Sequence, residues 1–315
     1  MNTTLSSGTA QLDGRLMRLS RRDVRLDGSE LGLLEENCPA GLDGIAMRER
    51  LARDGYLLAR GLLRPERVLP ARRVVLDHLA AKGQIDPSAG RDAGVLKAGA
   101  NGFYLGGQRE LTHHPDFTAM AETPELFTFF DLLFGEPSMT FDYKWLRAVG
   151  GGEPTPPHYD VVFMGRGSVD RLCTCWVAMG DIDLHEGALA VLCGSHNLPS
   201  YRRIHETYGR ADVDRDSIDS NFSYDPLEIT SRYGGAWKTT TFQAGDCLIF
   251  GMLTMHAALK NQSERMRISA DLRFQPCSEP VDERWIGKQP RGNYHWAVHP
   301  EQRIPVEVSR KEWGV

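Results

Sequence analysis

Two short stretches far apart in the chain carry residue types that bind metal ions. His158 and Asp160 are separated by one residue, and His256 lies 98 positions after His158. Side chains alternate along an extended strand, so we expect His158 and Asp160 to project to the same side. Two imidazoles and one carboxylate form the facial ligand set that binds Fe(II) and leaves coordination positions open. The pattern His-x-Asp alone is common, and a single strand histidine is more often simply hydrogen-bonded in place.

The segment after His256 makes this pattern more specific. An Asn-x-Ser sequence occupies 261–263, and Arg267 stands eleven residues after His256. In this order and spacing the chain resembles the phytanoyl-CoA dioxygenase family of Fe(II)/2-oxoglutarate-dependent oxygenases. The resemblance runs from about Tyr143 to Pro276, and it also includes Gly245-Asp246, Trp176, Gly187 and Gly194-Ser195-His196.

The resemblance implies a ligand set, two co-substrates and several contacts. Fe(II) would be held by His158, Asp160 and His256, with 2-oxoglutarate and O2 as co-substrates. Arg267 would bind the far carboxylate of 2-oxoglutarate, because a guanidinium is always charged and its paired donors match a carboxylate. Further expected contacts to the co-substrate come from Trp176, Tyr143 and Arg147. Two other arginines share the strand parity of Arg267 and are the alternatives for its role, Arg265 and Arg273.

One position departs from the family pattern. Family members often carry a hydroxyl two residues after the distal histidine, where this chain has Ala258. We expect Ser269 or Thr254 to supply the missing hydrogen bond. In related halogenases the carboxylate at the position of Asp160 is absent, so its presence here favours hydroxylation over halogenation.

The implied reaction is the oxidation of an unactivated C–H bond of a small molecule, in the manner of secondary metabolism, with release of succinate and CO2. Two other classes stay open from the residues alone. A cupin-like lyase or isomerase could hold Zn or Ni with the same three ligands, and a non-catalytic domain could bind a small molecule without a metal. Arg267 argues against the first class, which needs no dicarboxylate anchor.

The elements that position these residues follow a period of two from Met139 onward. Short alternating segments separated by Gly, Pro and Asp turns predict strands over 140–148, 160–164, 172–179, 188–192, 238–242, 246–250 and 267–275. Such a series predicts a mainly β fold, a double-stranded β-helix (jelly-roll, cupin-like) barrel. Helical spacing and caps predict flanking N-terminal α-helices near 43–54, 65–82 and 124–134.

The chain divides into an arm and one domain. Residues 1–40 are polar and without a sustained period, and predict a flexible arm with a short strand at 16–19. Residues 41–315 form a single catalytic domain. Its expected parts are a helical region 41–137, a barrel 138–276, an insertion 197–237 that carries substrate specificity at the barrel mouth, and a C-terminal tail 277–315.

Composition limits the partners. The 315 residues are 41% hydrophobic and carry a net charge of −5, which gives no general attraction to nucleic acid. No apolar run is long enough for a membrane span, and six cysteines without a C-x-x-C pair predict a reduced, cytoplasmic protein. A small-molecule substrate is expected, while monomer and homodimer both stay open.

Other histidines lack partners at metal-binding spacing. His113-His114 are adjacent in a loop, where neighbours seldom converge on one ion, and His185 with Glu186 falls in a predicted turn. We therefore expect solvated loops at both places.

Overall fold

The computed structural model describes residues 10–98, 103–105 and 108–315. The strands in this part, numbered along the chain, are β1 Leu16–Leu19, β2 Arg22–Arg25, β3 Gly32–Leu33, β4 Tyr56–Ala59, β5 Phe103–Tyr104, β6 Ser138–Thr140, β7 Trp145–Val149, β8 Cys173–Ala178, β9 Leu189–Cys193, β10 Ala236–Thr239, β11 Cys247–Gly251, β12 His256–Ala258 and β13 Arg267–Pro276. The α-helices are α1 Gly44–Asp54, α2 Pro65–Ala81, α3 Arg109–Thr112, α4 Pro115–Ala121, α5 Pro124–Phe134, α6 Val161–Met164, α7 Arg202–Glu206, α8 Val213–Asp216, α9 Pro226–Tyr233, α10 Tyr294–Val298 and α11 Val306–Trp313. None of these helices combines the length and the apolar character that a membrane crossing requires.

Two sheets make up the jelly roll. The larger has the strand order β4-β11-β8-β13-β7-β5, with β6 also paired to β13, and the smaller has the order β12-β9-β10-β3. Neighbouring strands run antiparallel except for β10 and β3. The mainly β fold with flanking N-terminal helices, predicted from the sequence, is confirmed.

Alternation along the larger sheet separates two cores. Trp176 and Leu248 point into the core shared with the smaller sheet, whereas Cys175 and Ile249 point to the core under the N-terminal helices. Strands covered on both faces bury every side chain, as the burial of all six β8 residues shows. This arrangement leaves the space between the sheets for a binding site.

Strand β13 has one apolar and one polar face, and both faces are buried. All ten of its residues are buried, but the apolar ones alternate with polar ones. The apolar set packs under the helices, and includes Ile268, Ala270 and Leu272. The polar set therefore faces the opposite way, into the space between the sheets, and consists of Arg267, Ser269, Asp271, Arg273 and Gln275. Burying so many polar groups costs free energy, which indicates that this face of β13 belongs to a functional site.

The expectation of a flexible arm over 1–40 is wrong for residues 10–40, and residues 1–9 lie outside the described part. The predicted strand at 16–19 is β1, which forms a hairpin with β2. Leu19, Val24 and Leu26 are fully buried in the core between the sheets. The segment is polar overall, but it contains a few apolar side chains that pack into the core of the jelly roll.

The expected specificity loop over 197–237 is also corrected. This segment folds into short helices, and its aromatic side chains Tyr201, Tyr208 and Trp237 are almost wholly buried in the core. Their polar ends bond to backbone, as when the Trp237 indole N–H donates to the Pro226 carbonyl at 3.0 Å. These rings serve packing and are closed to a substrate.

Gly245, two residues before β11, stands where a larger residue would not fit. Gly245 has a φ of +94°, and a Cβ at this position would lie 1.9 Å from the carbonyl oxygen of Leu63. The substitution Gly245→Ala combines a left-handed backbone with a backbone clash, so we expect it to lower the free energy of unfolding by about 3 kcal/mol or more. Urea denaturation measures this loss. Gly251→Ala at the other end of β11 is the control, since nothing lies within 4 Å of its Cβ position; equal losses would contradict the explanation.

Candidate metal centre

The structure brings three side chains together that the sequence separates widely. The ligand-type atoms of His158, Asp160 and His256 all lie within 4.8 Å of one another, and all three residues are buried. The backbones of His158 and His256 form an isolated antiparallel bridge, in which each N–H donates to the other carbonyl at 3.1 Å. This reciprocal pair fixes the separation of the two imidazoles, whose ring centroids are 4.2 Å apart.

The route by which Asp160 reaches this cluster differs from the expected one. A continuous strand over 160–164 is wrong, because Asp160 has helical dihedral angles (φ −68°, ψ −25°) and directly precedes the short helix α6. The chain therefore bends at Asp160, and the shared direction of its side chain and that of His158 comes from this bend. The β-branched run Val161-Val162 suggested a strand, but tertiary context overrides such a propensity.

Hydrogen bonds to backbone orient both imidazoles. Nδ1 of His158 bonds to the Pro156 carbonyl at 2.9 Å, and Nδ1 of His256 bonds to the Thr254 carbonyl at 3.1 Å. The two Nε2 atoms are left facing Asp160 Oδ1, at 3.9 Å and 3.8 Å. Burial lowers the pKa of His158 to about 3, and lowers that of His256 as well. Both rings are therefore neutral at neutral pH, the form that binds a metal ion.

The second carboxylate oxygen of Asp160 is held from the opposite side. Arg273 Nη2 donates to Asp160 Oδ2 at 2.9 Å, and the Thr174 hydroxyl donates to the same oxygen at 2.5 Å. Burial alone would raise the pKa of Asp160, but Arg273 and the two imidazoles hold it well below its usual range. The carboxylate is thus ionised, with Oδ1 turned to the histidines. Among the arginines of β13, Arg273 is consequently a partner of Asp160.

Arg267 is a buried cation that forms no ion pair with a carboxylate in the described part of the chain. Its side chain is 4% exposed, its Nη1 donates to the Ser269 hydroxyl, and its buried Nε has no hydrogen-bond partner in the described part of the chain. Burial lowers the pKa of Arg267 to about 10, which still leaves it charged at neutral pH. Arg267 lines the same pocket as the His-Asp-His cluster. An unpaired guanidinium beside a possible metal site fits an anionic ligand such as a dicarboxylate.

The remaining predicted contacts divide between two cavities. Trp176 and Arg147 line the pocket of Arg267, and the Arg267 guanidinium lies 5.8 Å from the Trp176 ring centre. Arg147 donates to Asp271 at 2.7 Å and also borders a second, larger cavity. Tyr143 lines that second cavity, next to Trp145, and lies outside the lining of the Arg267 pocket. The prediction that Tyr143 contacts the co-substrate thus finds no support in this geometry.

Both residues expected to replace the hydroxyl missing at Ala258 form hydrogen bonds within the protein. The Thr254 hydroxyl donates to the Gly55 carbonyl at 2.8 Å, and Ser269 is already bonded to Arg267. Thr155 lines the pocket beside Ala258, whose N–H donates to the Thr155 carbonyl at 3.0 Å. Thr155 is a further hydroxyl residue of this pocket, and spacing did not indicate it because its backbone pairs with Ala258 only in the folded chain.

Comparison with known proteins gives a family and relatives. The sequence pattern of the phytanoyl-CoA dioxygenase (PhyH) family matches residues 51–269. The 1-deoxypentalenic acid 11-beta-hydroxylase of Streptomyces exfoliatus is 25% identical over 242 residues, which are 71% of this chain and 78% of the hydroxylase.

Solved structures show the same fold at lower identity. The non-heme alpha ketoglutarate dependent epimerase SnoN from nogalamycin biosynthesis has a TM-score of 0.54 and 21% identity, covering 77% of this chain and 89% of its own. The carbocyclase SnoK from the same biosynthesis has a TM-score of 0.53 and 19% identity, covering 79% and 89%. Since the family pattern spans well over half of the chain and the ligand cluster and fold agree with it, this chain belongs to the phytanoyl-CoA dioxygenase family and is a non-haem iron oxygenase that depends on 2-oxoglutarate and O2.

Proposed function

We propose that His158, Asp160 and His256 are the ligands of Fe(II), and that Arg267 binds the far carboxylate of 2-oxoglutarate. The proposed reaction hydroxylates an unactivated C–H bond of a small organic substrate and releases succinate and CO2. The observation that carries this proposal is the burial of the Arg267 guanidinium in the pocket of the three ligands. A guanidinium that is buried with its Nε unsatisfied among the described residues is costly, and an anionic co-substrate seated beside the metal would offset that cost.

Each residue of the centre has a distinct task. Iron with bound 2-oxoglutarate supplies the oxidising power that an unactivated C–H bond requires. His158 and His256 offer Nε2, while Asp160 offers Oδ1 and neutralises part of the ion's charge. Arg273 and Thr174 position that carboxylate through its other oxygen. Loss of a residue that supports a metal ligand in this way typically lowers metal affinity about 10- to 100-fold.

The nature of the substrate and the cellular setting are supported less directly. The hydroxylase relative acts, by its name, on a small organic acid, which supports a small-molecule oxidation in secondary metabolism. All six cysteines are free thiols, as a reducing compartment such as the cytoplasm favours. We extend both features to this protein as part of the proposal.

Anaerobic spectroscopy tests the proposal. Fe(II) and 2-oxoglutarate added together should give the weak visible charge-transfer band of the chelate, and subsequent O2 should release succinate. His256→Ala should abolish both signals, because it removes one of the two imidazole ligands.

His185→Ala is the matched control, since His185 is an exposed histidine bonded to Asp183 in a turn. It should leave the band and succinate formation intact. A band that survives in His256→Ala would refute the ligand assignment, and metal binding without any response to 2-oxoglutarate would favour the lyase or isomerase class.

A further inference from the structure

A second cavity opens directly beside the metal centre. Its volume is about 350 Å³, at the lower end of the roughly 300–1,000 Å³ range of small-molecule sites. Asp160 and Arg147 line both this cavity and the pocket of Arg267. A molecule in this cavity, hereafter the chamber, therefore lies next to the proposed iron without displacing 2-oxoglutarate.

Aromatic rings form two walls of the chamber. Trp145 and Trp285 pack with centroids 4.7 Å apart, and Tyr143 lies 5.1 Å from Trp285. On the other side Phe163 meets the edge of Trp296 at 5.6 Å. Flat, rigid walls of this kind suit a rigid ring compound, which loses little conformational freedom on binding.

The C-terminal tail supplies part of both walls. Trp285 and Trp296 lie beyond residue 269, where the match to the family pattern ends. Arg284 attaches this tail to the body of the protein, since it donates to the Phe163 carbonyl at 2.9 Å and to Asp214 at 3.3 Å. Part of the chamber is therefore formed by residues outside the stretch that the family pattern matches.

The charges in the chamber are already balanced. Arg273 is bonded to Asp160 at 2.9 Å, and Arg147 is bonded to Asp271 at 2.7 Å. Both cations that line the chamber thus have a carboxylate partner. An anionic substrate would have to compete with these partners, so the chamber favours a neutral ligand.

Polar groups on the tail point to one kind of substituent. Asn293 lines the chamber, and its Oδ1 accepts a hydrogen bond from Arg284 at 2.7 Å, while its NH2 group makes no hydrogen bond to the described residues. The indole N–H of Trp285 is buried and has no acceptor within the described residues. Both groups are donors, so they fit a carbonyl or hydroxyl oxygen on the ligand.

We propose that the chamber is the substrate site and that it takes a neutral, mostly apolar ring compound bearing an oxygen acceptor, with Trp296 as a specificity-determining residue. This inference rests on the proposed function, because it treats the neighbouring pocket as the site of 2-oxoglutarate. It names a class of substrate that neither the family nor the metal centre defines.

Calorimetric titration with three related probes tests the proposal. The neutral bicyclic ketone 2-decalone should bind about tenfold or more tightly than decalin-2-carboxylate, because the chamber offers no unpaired cation. It should also bind more tightly than the open-chain ketone 2-decanone, which loses rotational freedom about several bonds on binding. Trp296→Ala should weaken 2-decalone binding about tenfold or more, and Trp296→Phe less.

Trp313→Ala is the matched control, because Trp313 is a half-buried tail tryptophan that packs on Tyr208, away from the chamber. It should leave 2-decalone binding unchanged, and circular dichroism should verify that each variant is folded. Equal or tighter binding of the carboxylate, or no effect of Trp296→Ala, would overturn the proposal. Titrations on metal-free and Fe(II)/2-oxoglutarate-loaded protein separate the two hypotheses: a normal charge-transfer band without 2-decalone binding refutes only this inference, and loss of the band refutes the proposed function.

Discussion

Replacing Arg267 with methionine should weaken 2-oxoglutarate binding about a hundredfold or more and, at the same time, stabilise the ligand-free protein. Removing one partner of a buried charge pair commonly costs about 2–5 kcal/mol of binding energy. Without ligand, however, Arg267 is a buried cation whose Nε has no partner. An apolar side chain of similar length removes that desolvation cost, and should raise the free energy of unfolding by about 1 kcal/mol or more.

Thermal unfolding with and without 2-oxoglutarate measures both effects in one experiment. The co-substrate should raise the melting temperature of the wild type, since a ligand that binds only the native state stabilises it, and should leave that of Arg267→Met unchanged. Arg265→Met is the matched control, because Arg265 lies two residues earlier and pairs with Glu186 at 3.5 Å. If Arg265→Met removed the response to 2-oxoglutarate and Arg267→Met kept it, the assignment would be reversed.

The substitution Asp160→Asn should affect metal binding and folding together. It removes the charged ligand, so we expect Fe(II) affinity to fall by more than the roughly 10- to 100-fold typical of supporting residues. It also leaves the guanidinium of Arg273, which is 1% exposed, without its counter-ion. Breaking a buried pair from one side typically costs about 3–5 kcal/mol of stability. Anaerobic metal titration and urea denaturation measure the two losses.

A double substitution separates the two roles of Asp160. Asp160→Asn/Arg273→Met should recover much of the stability, because no unpaired charge remains, while metal affinity stays lost. Asp246→Asn provides the control, since Asp246 is equally buried and pairs with Arg60 at 2.7 Å away from the centre. It should lower stability and keep metal affinity. A double variant as unstable as Asp160→Asn would show that Arg273 does not explain the loss.

The sequence predicted the members of the centre better than their surroundings. His158, Asp160, His256 and Arg267 follow from residue type together with the spacing of the family that the sequence resembles, and the structure places all four around one pocket. Strands β8, β11 and β13 of the larger sheet agree with the segments predicted over 172–179, 246–250 and 267–275. These features depend on local pattern and fixed spacing, which a single sequence displays.

Features that depend on tertiary pairing escaped prediction. Arg273 reaches Asp160 across 113 positions of the chain, and only the register between β13 and its neighbours creates that contact. Thr155 meets Ala258 through a loop pairing that no periodic pattern signals. Trp285 and Trp296 lie in a single 3-10 turn and in the five-residue helix α10, which are too short to show a period, although they form walls of the chamber. The helical bend at Asp160 was hidden by β-branched neighbours.

The backbone bridge between His158 and His256 has a thermodynamic consequence. Because two reciprocal backbone hydrogen bonds join these distant segments, the separation of the two imidazoles is set by the backbone pairing. Little chain entropy has to be lost at the moment of capture. We therefore expect a metal ion to bind without refolding of these two segments.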